Sequence, residues 1–132
     1  MPLQWSVSHP SRLVLVVAKG EVLASEMAEL LTGLDREKAR PYRKMVDVSG
    51  LESAFTNDQV HALAAAVRSR EEATEVGPIA IVATKGPALR MARLFVDAAQ
   101  IERPMQVFEE LHLARRWLDS LDAVLKLSKA GP

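Results

Sequence analysis

Two unbroken apolar runs, Arg12–Ala18 (RLVLVVA) and Ile79–Ala83 (IAIVA), constrain the fold of this chain more than any other feature. They are far too short to span a bilayer, which takes roughly twenty residues as a helix. A strand that is apolar on both faces must be covered on both faces, which is the situation of a strand in a mainly parallel sheet packed against helices. The neighbouring sequence supplies those helices. Met27, Leu30, Leu31 and Leu34 fall at i, i+3, i+4 and i+7, and Val60, Leu63, Ala64 and Val67 repeat the stripe.

Taken in order, Gln4–His9 alternates, with Trp5, Val7 and His9 on one face and Gln4, Ser6 and Ser8 on the other, the period of a half-exposed strand. The short Pro10-Ser11 connection makes it the antiparallel hairpin partner of Arg12–Ala18, placed at the sheet edge. After Lys19-Gly20-Glu21, Ser25 stands as the expected cap of the first helix, with Glu26 in its first turn complementing the dipole. Asp35–Arg40 and Pro41 end that helix. Arg43–Val48 reads as the third strand, leading through Ser49 and Gly50 into a loop. Thr56 and Gln59 then form a capping box, with Phe55 and Val60 as its hydrophobic staple. Gly77-Pro78 stops this second helix before Ile79–Ala83. Thr84-Lys85-Gly86 turns into a third helix opening at Pro87, with Leu89, Ala92, Val96 and Ala99 on its apolar face, widened by Phe95. Arg103-Pro104 precedes a last strand, Met105–Phe108. A final helix from about Glu110 carries Leu111, Ala114, Trp117, Leu118 and Leu121, then continues or restarts through Val124 and Leu125. The order β-β-α-β-α-β-α-β-α predicts an α/β domain with a four- to five-stranded, mainly parallel sheet and an antiparallel N-terminal edge strand.

The totals narrow the function. At 132 residues the chain suits one domain, with a core over about 4–118 and a helical extension and tail over 119–132. Absence of cysteine excludes disulfides, thiolate metal sites and a cysteine nucleophile. Lys plus Arg and Asp plus Glu number 17 each and are interspersed, which argues against a nucleic-acid surface or an anionic-membrane surface. MPLQWSVSHP lacks the pattern of a secretory signal, so a cytoplasmic protein without stable membrane insertion is expected. His9, His61 and His112 are scattered without metal-ligand spacing, and neither a metal nor another cofactor is expected.

The element order, with Val46-Asp47-Val48-Ser49-Gly50 followed by a capped helix, resembles the STAS domain, the fold of bacterial anti-sigma-factor antagonists. Pro41-Tyr42-Arg43-Lys44, Gly77-Pro78-Ile79-Ala80-Ile81-Val82, Met91-Ala92-Arg93 and the ending Val107-Phe108…Ala114-Arg115-Arg116-Trp117-Leu118 resemble more closely the SpoIIAA-like proteins of that superfamily. Those proteins are also compared with lipid-binding CRAL-TRIO domains. The likeness covers about residues 4–118 and implies a β-α superhelical arrangement without a catalytic centre. In the antagonists a serine of an Asp-Ser-Ser-Gly motif at the second helix is phosphorylated. Here Asn57-Asp58-Gln59-Val60 stands there, and Gln59 occupies the acceptor position, so the resemblance implies no serine phospho-switch.

Three groups of residues emerge as candidate sites. Asp47, Ser49, Thr56, Asn57, Asp58, Gln59 and His61 form a candidate partner-docking tip across the loop and helix start 49–61. Capping and an Asp47 turn explain most of these residues without a partner. Thr84, Lys85, Gly86 and Arg90 form a candidate anion site at a strand-to-helix turn, although the P-loop spacing is missing and Pro87 removes a donor. Leu31, Val60, Leu63, Met91 and Phe95 form a candidate apolar pocket between sheet and helices. The expectation is a non-enzymatic regulatory module that binds a protein partner through 49–61. The alternative is a carrier or sensor of a small apolar or lipid-like ligand. The mixed surface also permits a homodimer. A pocket lined by Leu31, Val60, Leu63, Met91 and Phe95 would favour the carrier, and a filled core the docking module.

Overall fold

The computed structural model describes residues 3–52, 55–73, 77–84, 86–99 and 104–130. The apolar run after Pro10 becomes β2 (Leu13–Gly20), flanked by β1 (Leu3–Ser8) and β3 (Arg43–Leu51). β4 (Ile79–Val82) and β5 (Met105–Phe108) complete a five-stranded sheet in the order β1-β2-β3-β4-β5. Only the β1–β2 pair is antiparallel; β2–β3, β3–β4 and β4–β5 are parallel. The predicted hairpin and the mainly parallel sheet are both present.

Each parallel connection steps one strand further in the same direction. Right-handed crossovers then deliver the intervening helices to a single face. These helices are α1 (Ala24–Arg36), α2 (Asn57–Ala73) and α3 (Gly86–Ala99). The register aligns side chains in cross-strand rows. Trp5, Val16, Val46, Ile81 and Val107 form one row toward these helices, and Val14, Lys44, Ile79 and Met105 form another. Leu30 and Leu34 of α1 pack on Val14 and Val16, while Ala88 and Ala92 of α3 pack with Val48, Ile79 and Ile81. The intervening rows face the last helix, α4 (Leu111–Ala130), where Ala114 and Leu118 close on Leu13, Met45, Ala80 and Val82. Trp117 leans on Phe108 with ring centroids 5.5 Å apart.

Several local expectations shift. β1 begins one residue earlier than read and leaves His9 in the turn. β3 does not stop at Val48. Past an irregularity between Val17 and Lys19 it resumes pairing, Lys19 with Gly50 and Gly20 with Leu51, so Ser49 and Gly50 are strand and not loop. Ser25 is not the cap of α1. The helix starts at Ala24, and the Glu26 carboxylate accepts the Leu23 N–H at 3.2 Å in place of a side-chain cap. α3 opens at Gly86, one residue before Pro87. α4 runs without a restart.

The base of the sheet is held by a close main-chain approach. Gly77 donates its N–H to the Arg40 carbonyl at 3.0 Å. A Cβ on Gly77 would lie 2.3 Å from both the Pro41 and the Tyr42 carbonyl oxygens, a clash with backbone that cannot swing aside. Gly77→Ala should therefore lower stability by about 1–3 kcal/mol, visible as a lower midpoint in denaturant melts with native circular dichroism retained before the transition.

Candidate functional site

α2 packs against α3 and α1 and stands off the strands, so it bridges the sheet like a beam on two supports. The residues it turns downward are small (Val60, Ala64 and Val67, all buried), and α3 contributes Ala88 and Ala92. Short side chains below a bridging helix leave space unfilled. The space is a chamber of about 130 Å³ between α2 and β3, lined by α1, α2, α3 and the sheet. Leu31, Val60, Leu63, Met91 and Phe95, expected from sequence as an apolar pocket, all line it. Val46 and Val48 form its floor, and Phe55 reaches it from the segment before α2.

One wall residue is unlike the rest. Lys44 is the only charged or polar residue buried among the described residues. Strand alternation puts it on the helix-covered face with Val46 and Val48. Its ammonium donates to the Tyr42 carbonyl at 2.8 Å and to the Arg40 carbonyl, so the buried nitrogen is hydrogen-bonded. Burial pushes the amine down from 10.5 to about 8, and the nearby Arg40 guanidinium adds to the effect while Asp35 opposes it. Asp35 is itself held by Arg40 at 2.9–3.0 Å.

The helix tip is built as the capping box requires. The Thr56 N–H donates to Gln59 Oε1 at 2.9 Å, and the Gln59 N–H donates to Thr56 Oγ1 at 3.1 Å. Thr56, Asn57, Asp58, Gln59 and His61 are all exposed there. Asp47 lies back along β3, where its Oδ1 accepts the Ser49 N–H at 3.0 Å and the Ser49 hydroxyl. It is tied locally, as a turn-type aspartate would be. Its side chain faces away from α2, because it alternates with Val46 and Val48. The docking candidates thus divide between a helix tip and a strand end on the opposite face.

For the anion candidate, Thr84, Gly86 and Arg90 are exposed at the start of α3, and Lys85 lies outside the described residues. His9 meets Tyr42 at 2.8 Å and Glu37 at 3.1 Å across the surface, contacts that no sequence spacing could reveal. Among the described residues no three His, Asp or Glu side chains gather as a metal site. Among them, too, no helix is long and apolar enough to cross a membrane.

The profile of the SpoIIAA-like family matches residues 13–119, from β2 into α4. The chain belongs to the SpoIIAA-like family. An uncharacterised protein of the DUF3478 family with a SpoIIAA-like fold, from Shewanella loihica PV-4, shares the architecture at a TM-score of 0.56. Identity is 15%, with 88% of this chain and 91% of that one covered, so the likeness speaks to fold alone. Comparison with curated proteins finds no match.

Within this SpoIIAA-like chain, Lys44 is the site residue that sequence reasoning passed over. The signal was present as a lysine occupying an inward position in the Lys44, Val46, Val48 alternation, but the residue entered only as part of the third strand and of the Pro41-Tyr42-Arg43-Lys44 stretch. Two outcomes follow from the geometry. Thr56→Ala should cost about 1 kcal/mol through loss of the cap, measurable by chemical denaturation. Lys44 has its amine lowered in the folded state, so between pH 8 and 10.5 the unfolded chain binds more protons and stability rises with pH. The rise should be on the order of 1–3 kcal/mol and should disappear in Lys44→Met when melts are compared across that range.

Proposed function

We propose that this protein binds a small apolar or amphipathic molecule in the chamber beneath α2 and acts as a carrier or sensor, without chemistry of its own. The observation that carries this reading is the chamber of about 130 Å³ with walls of Leu, Val, Ile, Met and Phe. Walls of this kind offer water no hydrogen-bond partner, so an apolar occupant that removes them from water is favoured. An apolar cavity of about 150 Å³ suffices to bind benzene, so the occupant that fits is a molecule, or a tail, of about six carbons. Met27 and Met91 among the wall residues can adapt their shape to more than one occupant.

Docking of a protein partner on the helix tip is the second reading. It is favoured by the exposure of Thr56, Asn57, Asp58, Gln59 and His61 beside Phe55 and Val60, which line the chamber. The two readings join naturally in a sensor, since an occupant that shifts the Phe55–Val60 staple also shifts the tip. Gln59 spends its side chain on the capping box, which supports a tip that works without serine phosphorylation.

Benzene, hexane or 1-octanol added to the purified protein should raise its melting temperature in proportion to the logarithm of concentration. Ala92→Leu, which projects into the chamber, should abolish that shift and raise ligand-free stability by roughly 1 kcal/mol. Absence of any shift with all three compounds, together with an unoccupied chamber in crystals soaked with them, would overturn the carrier reading.

A further inference from the structure

A second group of side chains, apart from the chamber, meets where the β1–β2 turn, the end of α1 and the start of β3 come together. Main-chain bonds fix these segments. The Arg12 N–H donates to the His9 carbonyl at 3.2 Å and closes the turn, and the Arg43 N–H donates to the Arg12 carbonyl at 3.1 Å and ties that turn to β3. The Glu37 N–H donates to the Gly33 carbonyl at 3.1 Å as α1 ends, and the Tyr42 N–H donates to the Ala39 carbonyl at 3.0 Å. His9, Arg12, Glu37 and Tyr42 are thereby held on short, anchored pieces of backbone.

The hydrogen bonds among their side chains run in one direction. His9 Nε2 lies 3.1 Å from Glu37 Oε2, and His9 Nδ1 lies 2.8 Å from the Tyr42 hydroxyl. An ionised carboxylate only accepts, so a neutral imidazole here carries its proton on Nε2 and leaves Nδ1 bare. The Tyr42 O–H then donates to Nδ1, and the phenol oxygen keeps its lone pairs. Carboxylate, imidazole and hydroxyl stand in the order in which a base is oriented and a nucleophile activated. The Arg12 guanidinium carbon lies 5.4 Å from the centre of the Tyr42 ring. Its positive charge is placed beside the group that becomes negative as the proton leaves. The His9 and Glu37 side chains are 51% and 50% exposed, so a reagent reaches the cluster directly from solvent.

We propose that Tyr42 is a modification site, a nucleophile that takes one acyl group from an activated ester. The phenol oxygen attacks the ester carbonyl carbon while its proton passes to His9 Nδ1. The new O–C bond forms, the bond to the leaving oxygen breaks, and the imidazolium, held by Glu37, returns the proton to that oxygen. The products are an O-acyl tyrosine and the free alcohol or phenol. The acylated oxygen no longer donates to Nδ1, so the mark also severs the side-chain link between the β1–β2 turn and the start of β3. None of these four residues lines the chamber, and the inference stands independently of ligand binding there.

Tyr42 is the only tyrosine in the chain, so its ester is identified without ambiguity by mass spectrometry of acid-quenched samples. Para-nitrophenyl acetate added to the full chain at neutral pH should acetylate Tyr42 about a hundredfold faster than it acetylates N-acetyltyrosinamide, the lower end of what a positioned base contributes. His9→Gln keeps a hydrogen-bonding side chain but cannot take the proton, and should bring the rate down to that of the free amide. Glu37→Gln still accepts from Nε2–H without the negative charge, and should slow the reaction severalfold. Acetylation of the lysines in the same samples should be unchanged in both variants, which separates a lost relay from a lost fold. Should a variant fail to fold, the comparison of the wild-type chain with N-acetyltyrosinamide decides by itself. Acetylation of Tyr42 no faster than that of the free amide, or an enhanced rate that survives in His9→Gln, would overturn the proposal.

Discussion

The parallel ladder joining β2, β3 and β4 decides where the helices of this chain lie. Its connections all advance in one direction across the sheet, so α1, α2 and α3 share one face and α4 alone serves the other. Three helices over a few short strands cannot all rest in the same way. α1 and α3 settle on the strands, and α2 is carried by its neighbours. The chamber is a geometric consequence of that arrangement, made larger by the valines and alanines on the surfaces that face it.

The same arrangement places Lys44. A lysine at an inward position of a central strand is largely shielded from water, and its stem becomes part of the wall while its ammonium finds the carbonyls of Arg40 and Tyr42. The Arg40 carbonyl also receives the N–H of Gly77, so one peptide oxygen joins the turn after α1, the start of β3 and the approach to β4. The amine ties down the base of the sheet. At the opposite end of α2 the capping box and the Phe55–Val60 staple connect the chamber to an exposed tip. The chamber and the exposed tip are thus mechanically adjacent.

Much of the architecture was legible in the residues because it depends on local periodicity. The continuous apolar runs marked strands covered on both faces, and the i, i+3, i+4 stripes marked helices. Thr56 and Gln59 announced a capping box that forms with both hydrogen bonds. The family resemblance, drawn from soft apolar motifs and the element order, agrees with the profile match over residues 13–119. Boundaries were harder to read. Ser49 and Gly50 looked like a loop because a polar, glycine-containing sequence is turn-like, yet pairing with Lys19 and Gly20 beyond the irregularity holds them in strand. Ser25 looked like a cap, but Glu26 reaches back to the Leu23 N–H and the helix starts earlier. In both cases a partner distant in the chain, or a competing side chain, overrode the local preference.

By itself the sequence determined the class of fold, the alternation of strands and helices, and the apolar faces of α1, α2 and α3, because each follows from spacings of two to four residues. It also named five residues of the chamber wall, since apolar helix faces have to point at the sheet. Only the tertiary structure decided that those faces do not close completely. Whether opposed side chains fill or leave a volume depends on the distance between α2 and β3, which is set by the supports on either side and not by either segment alone. The position of Lys44 was decided in the same way. Its environment is made by α1, the turn after it, α2 and β4, and no stretch of chain contains them together.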